Sequence, residues 1–138
     1  MSDMFSLEGK IAVVIGGAGG IGELIAAGLA KQGAKVAIAS RNMQKLEEVA
    51  HRIQSESESE VVAFQVDVTD EQSVAQLVER VVSRFETVDI LVNSQGVNLK
   101  RPAAEFPVDD WDLMFGVNVK GIMLTCREFG KVMIGREK

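Results

Sequence analysis

Short apolar runs rich in β-branched residues alternate with stretches of helical periodicity along the whole of this 138-residue chain. The runs are Ile11 to Ile15, Val36 to Ala39, Val61 to Val66 and Asp89 to Val92. A strand with one wet face alternates apolar and polar residues. These runs do not alternate, so they read as strands covered on both faces. Helical segments between successive strands make every connection a crossover, and crossovers join parallel strands with a right-handed turn. The expected fold class is therefore α/β, with a doubly wound parallel sheet.

The helical segments have identifiable faces. From about Gly20 to Gln32, the spacing of Ile21, Leu24, Ile25 and Leu29 predicts one apolar side, and Gly33 reads as a stop. Met43 to Ser55 carries Leu46, Val49, Ala50 and Ile53 at core spacing. The Ser/Glu alternation from Ser55 to Glu60 reads as a solvated turn. Thr69 is expected to cap the third helix, with Gln72 at the reciprocal capping-box position and Val74, Leu77, Val78, Val81 and Val82 as its apolar side. A last long helix is expected from Asp109 or Asp110 toward Met133. Trp111, Met114, Phe115 and Leu124 read as core residues, with an apolar contact surface as the alternative.

Composition narrows the functional classes. Fifteen basic against twenty acidic residues give a net charge of −5 and no long basic block, which argues against nucleic acid as a partner. No apolar run reaches membrane-spanning length, and Met1-Ser2-Asp3-Met4 lacks the pattern of an export signal. Cys126 is the only cysteine, so no internal disulfide forms and a reducing, cytoplasmic setting follows; a buried packing role is expected for it. With one histidine, His51, placed on a surface helix, no metal site of the usual kinds is expected.

The glycine cluster Gly16-Gly17-Ala18-Gly19-Gly20-Ile21-Gly22 falls between the first strand and the first helix. Backbone without side chains approaches a pyrophosphate closely, and the free amides of a helix start point at the same phosphates. Gly17-x-Gly19-x-x-Gly22 fits the common dinucleotide fingerprint, and Gly16-x-x-x-Gly20-x-Gly22 is a second, overlapping register. A P-loop is disfavoured because Glu23 stands where its Lys would follow. An acidic residue at the end of the second strand would hold ribose hydroxyls and repel a 2′-phosphate. This chain has Ser40-Arg41-Asn42 instead, which favours NADP over NAD, with ordinary surface charge as the other reading of Arg41. Asp67 and Val68 are placed to meet an adenine edge, or Asp67 closes the following turn. Asn93-Ser94-Gln95-Gly96 sets a polar side chain and a glycine beside the expected crevice, where Asn93 can tie adjoining strands and Gly96 can admit ribose and phosphate.

Together these positions resemble the classical short-chain dehydrogenase/reductase family, whose fold is a Rossmann-like sheet. Gly16, Gly20 and Gly22 match its cofactor glycines, and Asp67-Val68 its adenine-contact pair. Asn93-Ser94-Gln95-Gly96 is similar to its Asn-Asn-Ala-Gly element with the two middle residues changed. Ile15 stands where the family carries threonine, so one turn hydrogen bond is expected to be missing. Asn118, in Val117-Asn118-Val119-Lys120-Gly121, matches the helix asparagine of the catalytic tetrad, which in the family keeps a helix turn open and supports a water-linked proton path. Gly96 to Pro107 and Ala39 to Asn42 are similar to gluconate 5-dehydrogenase-like members.

The resemblance implies NAD(P)-dependent interconversion of a secondary alcohol and a ketone, on a substrate such as gluconate. It also implies homodimers or homotetramers using the helix of Asn118. The family completes its site with a serine and a Tyr-x-x-x-Lys pair, and this chain contains no tyrosine. Lys120 and Lys131 do not replace that lysine and read as surface charge. Residues 1–138 thus read as the N-terminal part of a single dinucleotide-binding domain, ending after the fourth strand and its helix near Gly135-Arg136-Glu137-Lys138. Taken alone, such a piece is expected to be inactive and of marginal stability, with a non-catalytic nucleotide-binding or regulatory module as the alternative.

Overall fold

The computed structural model describes residues 3–135; Met1 and Ser2 of the leader reading and Arg136 to Lys138 of the C-terminal reading lie outside them. Four strands form one parallel sheet in the order β3-β2-β1-β4: β1 Ile11–Ile15, β2 Lys35–Ser40, β3 Val61–Gln65 and β4 Ile90–Asn93. Helices α1 Gly20–Lys31, α2 Met43–Ser57 and α3 Glu71–Phe85 make the crossovers. After β4 come a short 3-10 turn at Ala103–Glu105 and α4 Val108–Phe115. A wide turn at Gly116–Lys120 leads into α5 Gly121–Gly135. The expected parallel α/β sheet is the one observed.

Both faces of the central strands β1 and β2 are covered, whereas all four residues of β4 are only partly buried. Every residue of β1 is buried. On one side, Ala12, Val14, Val36 and Ile38 pack with Ala26 and Ala30 of α1 and Leu46, Val49 and Ile53 of α2. On the other, Val13, Ile15, Ala37 and Ala39 pack with Val74, Leu77 and Val81 of α3 and Leu124 and Phe129 of α5. The strand order reverses at β1: β2 and β3 lie to one side of it and β4 to the other. Crevices in open parallel sheets lie at the carboxyl ends of strands at such a point.

Several local expectations change. Ile21 and Leu24 are exposed on α1 (72% and 74%), because the helix presses its small residues, Gly22, Ala26 and Ala30, against the sheet. Helix α2 runs two residues past Ser55 and stops at Glu58 in a left-handed conformation (φ 64°). The rest of the Ser/Glu stretch is engaged: the Ser59 hydroxyl donates to the Ala30 carbonyl at 2.8 Å, and Glu60 pairs with Arg84. Asp70, not Thr69, caps α3, accepting from the Gln72 amide at 3.0 Å. Trp111 and Phe115 are not core residues; they stack at 4.6 Å between ring centroids on an exposed face of α4, while Leu124 is buried. Cys126 is exposed rather than packed, since Leu124, Thr125 and Phe129 are the residues α5 turns inward. His51 is exposed on α2, as expected.

The expected long last helix is present, running from Val108 to Gly135 as one right-handed helix with a wide turn inside it. Pro107 sets the start of α4 at Val108, and the amide of Gly121 reaches back five residues to the Gly116 carbonyl. That i→i−5 bond defines a π turn, which lodges one extra residue in the helix. A Cβ on Gly121 would stand 2.9 Å from the Val68 side chain, and one on Gly116 3.3 Å from Thr69. The two glycines thus let the wide turn press against the loop between β3 and α3. Among the described residues no helix is long and apolar enough to cross a membrane, and no cluster of potential ligands is arranged for a metal ion.

Candidate functional site

The glycine cluster forms a tight cradle at the carboxyl end of β1. Gly16 has φ +84° and donates its amide to the Ala39 carbonyl at 2.7 Å, which ties the loop to the end of β2. A Cβ on Gly16 would stand 2.8 Å from the backbone of Ser94 and Gln95. One on Gly22 would overlap the Gly16 carbonyl oxygen and crowd the Ser94 hydroxyl at 3.2 Å. No side chain fits at either position, so the loop and α1 close directly on the end of β4. Helix α1 begins with Gly19 in the cap position and no side chain capping its first amides. Those amides, with the positive end of the helix dipole, face the cradle unpaired by any cap. Gly20 and exposed Ile21 complete the mouth of the loop.

The end of β2 forms the neighbouring wall. The Ser40 hydroxyl is buried and has no hydrogen-bond partner among the described residues. A buried polar atom without a partner is rare in folded proteins. Arg41 is exposed, and its guanidinium forms no ion pair among the described residues; its carbonyl accepts from the side-chain Nε2 of Gln65 at 3.1 Å. Asn42 does structural work: its Oδ1 caps α2 by accepting from the Lys45 amide at 3.1 Å.

Asp67 closes its own turn. Its Oδ1 accepts from the Thr69 hydroxyl at 2.6 Å and from the Thr69 amide at 3.0 Å. The hydroxyl bond holds the Asp67 carboxyl below the ordinary carboxylate range, burial opposes this, and the Thr69 amide and Arg41 charge assist. An adenine edge would therefore meet a carboxylate with one oxygen already bonded, while Val68 is buried under the π turn.

At the end of β4 the polar residues separate. Asn93 does not tie the strands together. Its Oδ1 accepts from the buried Thr125 hydroxyl at 2.6 Å and its Nδ2 donates to the Cys126 sulfur at 3.3 Å, so it fastens β4 to α5. Ser94 faces Gly22. Gln95, where the resembled element has alanine, carries a carboxamide whose two polar atoms are buried without partners among the described residues. Gly96 is exposed, and a Cβ there would stand 3.6 Å from Asn118 Oδ1. Asn118 sits in the π turn and clamps the next residue: its Oδ1 accepts from the Val97 amide at 2.8 Å and its Nδ2 donates to the Val97 carbonyl at 2.9 Å.

The structure thus sets Gly16 and Gly22 against Ser94 and Gln95 at the carboxyl ends of β1 and β4, with Gly19 and Gly20 at the start of α1 and Ser40 and Arg41 at the end of β2. Asn42, Asn93 and Asn118 form their frame. Sequence reasoning missed Thr125, which no local pattern marks, and Lys45, whose ammonium lies over Gly19. A basic residue in the first turn of a helix was the available signal for the latter.

Residues 10–138 match the family model described as short chain dehydrogenase. This chain belongs to the short-chain dehydrogenase/reductase family. It is 43% identical over 122 residues to an uncharacterized oxidoreductase of Staphylococcus saprophyticus, covering 88% of this chain and 52% of that protein. It is similar to L-sorbose reductase from Gluconobacter frateurii, solved with NADPH and L-sorbose (TM-score 0.90, 31% identity, 96% of this chain and 50% of that one). It is also similar to a short-chain type dehydrogenase/reductase from Mycobacterium marinum (TM-score 0.93, 28% identity, 99% of this chain and 56% of that one). The chain spans about half the length of the curated relatives it matches.

Proposed function

We propose that this chain is the N-terminal part of a single dinucleotide-binding domain. The protein it serves is, in this reading, an NAD(P)-dependent oxidoreductase that interconverts a secondary alcohol and a ketone. The observation that carries the reading is the unpaired, buried Ser40 hydroxyl beside a glycine cradle whose helix amides have no cap. These groups fit a phosphorylated adenosine: amides for the pyrophosphate, the hydroxyl and Arg41 for the far end of the ribose. The absence of an acidic residue at Ser40 or Arg41 supports NADP as the preferred cofactor, with NAD also accepted. Asp67, Val68 and Gly96 are assigned to the adenosine half, and Ser94 and Gln95 to the wall beside the phosphates.

The cofactor, when bound, supplies the hydride acceptor or donor. The chain's own residues bind and orient it. Asn118 is the one residue here assigned to the catalytic set; it acts by holding Val97 and the open helix turn in place. The proton-transfer groups of the family have no counterpart in a chain without tyrosine. The second reading is a nucleotide-binding or regulatory module without catalysis.

A sugar acid or polyol is the proposed substrate class, with gluconate as the specific candidate. The similarity of Gly96 to Pro107 to gluconate 5-dehydrogenase-like members supports it. A homodimer or homotetramer built on the exposed face of α4 and α5, and a cytoplasmic location, complete the proposal.

Parallel titrations with NADPH and NADH, followed by nicotinamide fluorescence, test binding. Turnover of secondary alcohols then separates an enzyme from a binding module. The reading requires saturable binding of NADPH more tightly than NADH; equal or tighter NADH binding overturns the NADP assignment, and binding of neither overturns the whole.

A further inference from the structure

Lys45 stands three residues beyond the cap of α2, in the first turn of a 15-residue helix. That turn contains no acidic residue. A cation there opposes the helix dipole, which favours anions at its N-terminus, so the position is unfavourable for the helix taken alone. Nor does a carboxylate compensate it: among the described residues Lys45 forms no ion pair. Its side chain extends across to the other glycine-bearing helix start. The ammonium nitrogen lies 3.1 Å from where a Cβ of Gly19 would be, so a side chain at Gly19 would crowd the lysine.

The ammonium therefore lies between two helix N-termini, those of α1 and α2. The buried Ser40 hydroxyl without a partner and the unpaired Arg41 guanidinium belong to the same end of β2. Two cations, two helix starts and an orphaned hydroxyl gather at this end of β2, and the one carboxylate whose charge reaches Arg41, that of Asp67, is already bonded to Thr69. Both side chains are exposed, and their two charges suit a multiply charged anion. A phosphate monoester fits this demand better than a diester, because it carries up to two charges and three acceptor oxygens.

Resting on the cofactor reading above, we propose that Lys45 is a specificity-determining residue that binds the 2′-phosphate of NADP across the crevice from Arg41, and that the bare backbone at Gly19 is what gives it room. Arg41 supplies a planar fork from the β2 end; Lys45 supplies a point charge from the α2 side. The pyrophosphate is left to the amides of α1.

The test is the dissociation constant of NADPH and of NADH for the full chain and its Lys45→Gln and Lys45→Arg variants, read by nicotinamide fluorescence at fixed ionic strength. Adenosine 2′,5′-bisphosphate and AMP serve as competitors. Loss of one charge-assisted hydrogen bond is expected to weaken NADPH about ten- to a hundredfold. NADH binding should stay within about twofold, Lys45→Arg should restore most of the NADPH affinity, and only the bisphosphate should lose competition. NADPH binding unchanged by Lys45→Gln overturns the proposal, and so does equal weakening of NADPH and NADH, which would put the ammonium on the pyrophosphate. In those cases NADPH still binds the unaltered chain. If the unaltered chain binds neither coenzyme, the cofactor reading itself fails and takes this inference with it.

Discussion

Asn118→Ala is the most informative single change in this chain. The side chain satisfies both backbone groups of Val97, accepting from the amide at 2.8 Å and donating to the carbonyl at 2.9 Å. Each bond contributes about 1 kcal/mol net, and each backbone group left unpaired costs about 1–3 kcal/mol, less where water reaches it. Val97 and Asn118 are only partly buried, so the lower half of that range applies. The expected loss is about 2–3 kcal/mol for the pair, measured by urea denaturation of the full chain followed by circular dichroism. Hydrogen exchange at the Val97 amide should quicken about thirty- to a hundred-and-fiftyfold, the same energy read locally. Asn118→Asp separates the two bonds. It keeps the acceptor for the amide but turns a carboxylate oxygen toward the Val97 carbonyl, so its loss should be largest at neutral pH and shrink on acidification, when the acid can donate. Stability within about 0.5 kcal/mol of the unaltered chain, with unchanged exchange at Val97, would refute the clamp.

Three further outcomes follow from the same geometry. Gly22→Ala places a methyl against the Gly16 carbonyl and is expected to abolish dinucleotide binding in fluorescence titration, with a loss of about 2 kcal/mol or more in denaturation; undiminished affinity would show that the loop can open at little cost. Thr125→Val removes the fully buried hydroxyl that donates to Asn93 Oδ1 across a part-buried contact and is expected to cost about 1–3 kcal/mol by urea denaturation, where a neutral result would mean that Asn93 has another partner. The depressed Asp67 carboxyl stabilises the folded state above the ordinary carboxylate range, and that contribution fades as pH falls through its lowered folded value. Thr69→Val should therefore raise the Asp67 pKa seen by NMR titration and narrow the acid side of the stability profile; an unmoved titration would count against the Thr69 bond as its main cause.

The sheet was legible because its information is local and repeated. A run such as Ile11 to Ile15 has one physical solution, burial on both faces, and the crossovers then fix parallel pairing. The glycine cradle was legible for a similar reason, since few uses exist for so much bare backbone at a strand-to-helix junction. Misreadings arose where a long-range partner decides. Apolar periodicity nominated Ile21 and Leu24, but close packing on the sheet selected Ala26 and Ala30 for their size. Nothing near Asn93 says that its partner is Thr125, 32 residues on. Cys126 is exposed because Thr125 beside it is the residue drawn inward. The wide turn inside the last helix is held by a side chain reaching back 21 residues to Val97, and periodicity cannot show that.

That wide turn also sets the phase of everything after it. Each residue advances an α-helix by about 100°. Were residues 116–120 wound as ordinary α-helix with no residue removed, everything downstream would swing by about that angle. Thr125 would leave Asn93 and a different stripe of the helix would meet the sheet. The bulge absorbs its surplus residue, so a shortening by one at this point closes the turn and keeps the facing of α5 on β4, whereas the same deletion further along would not.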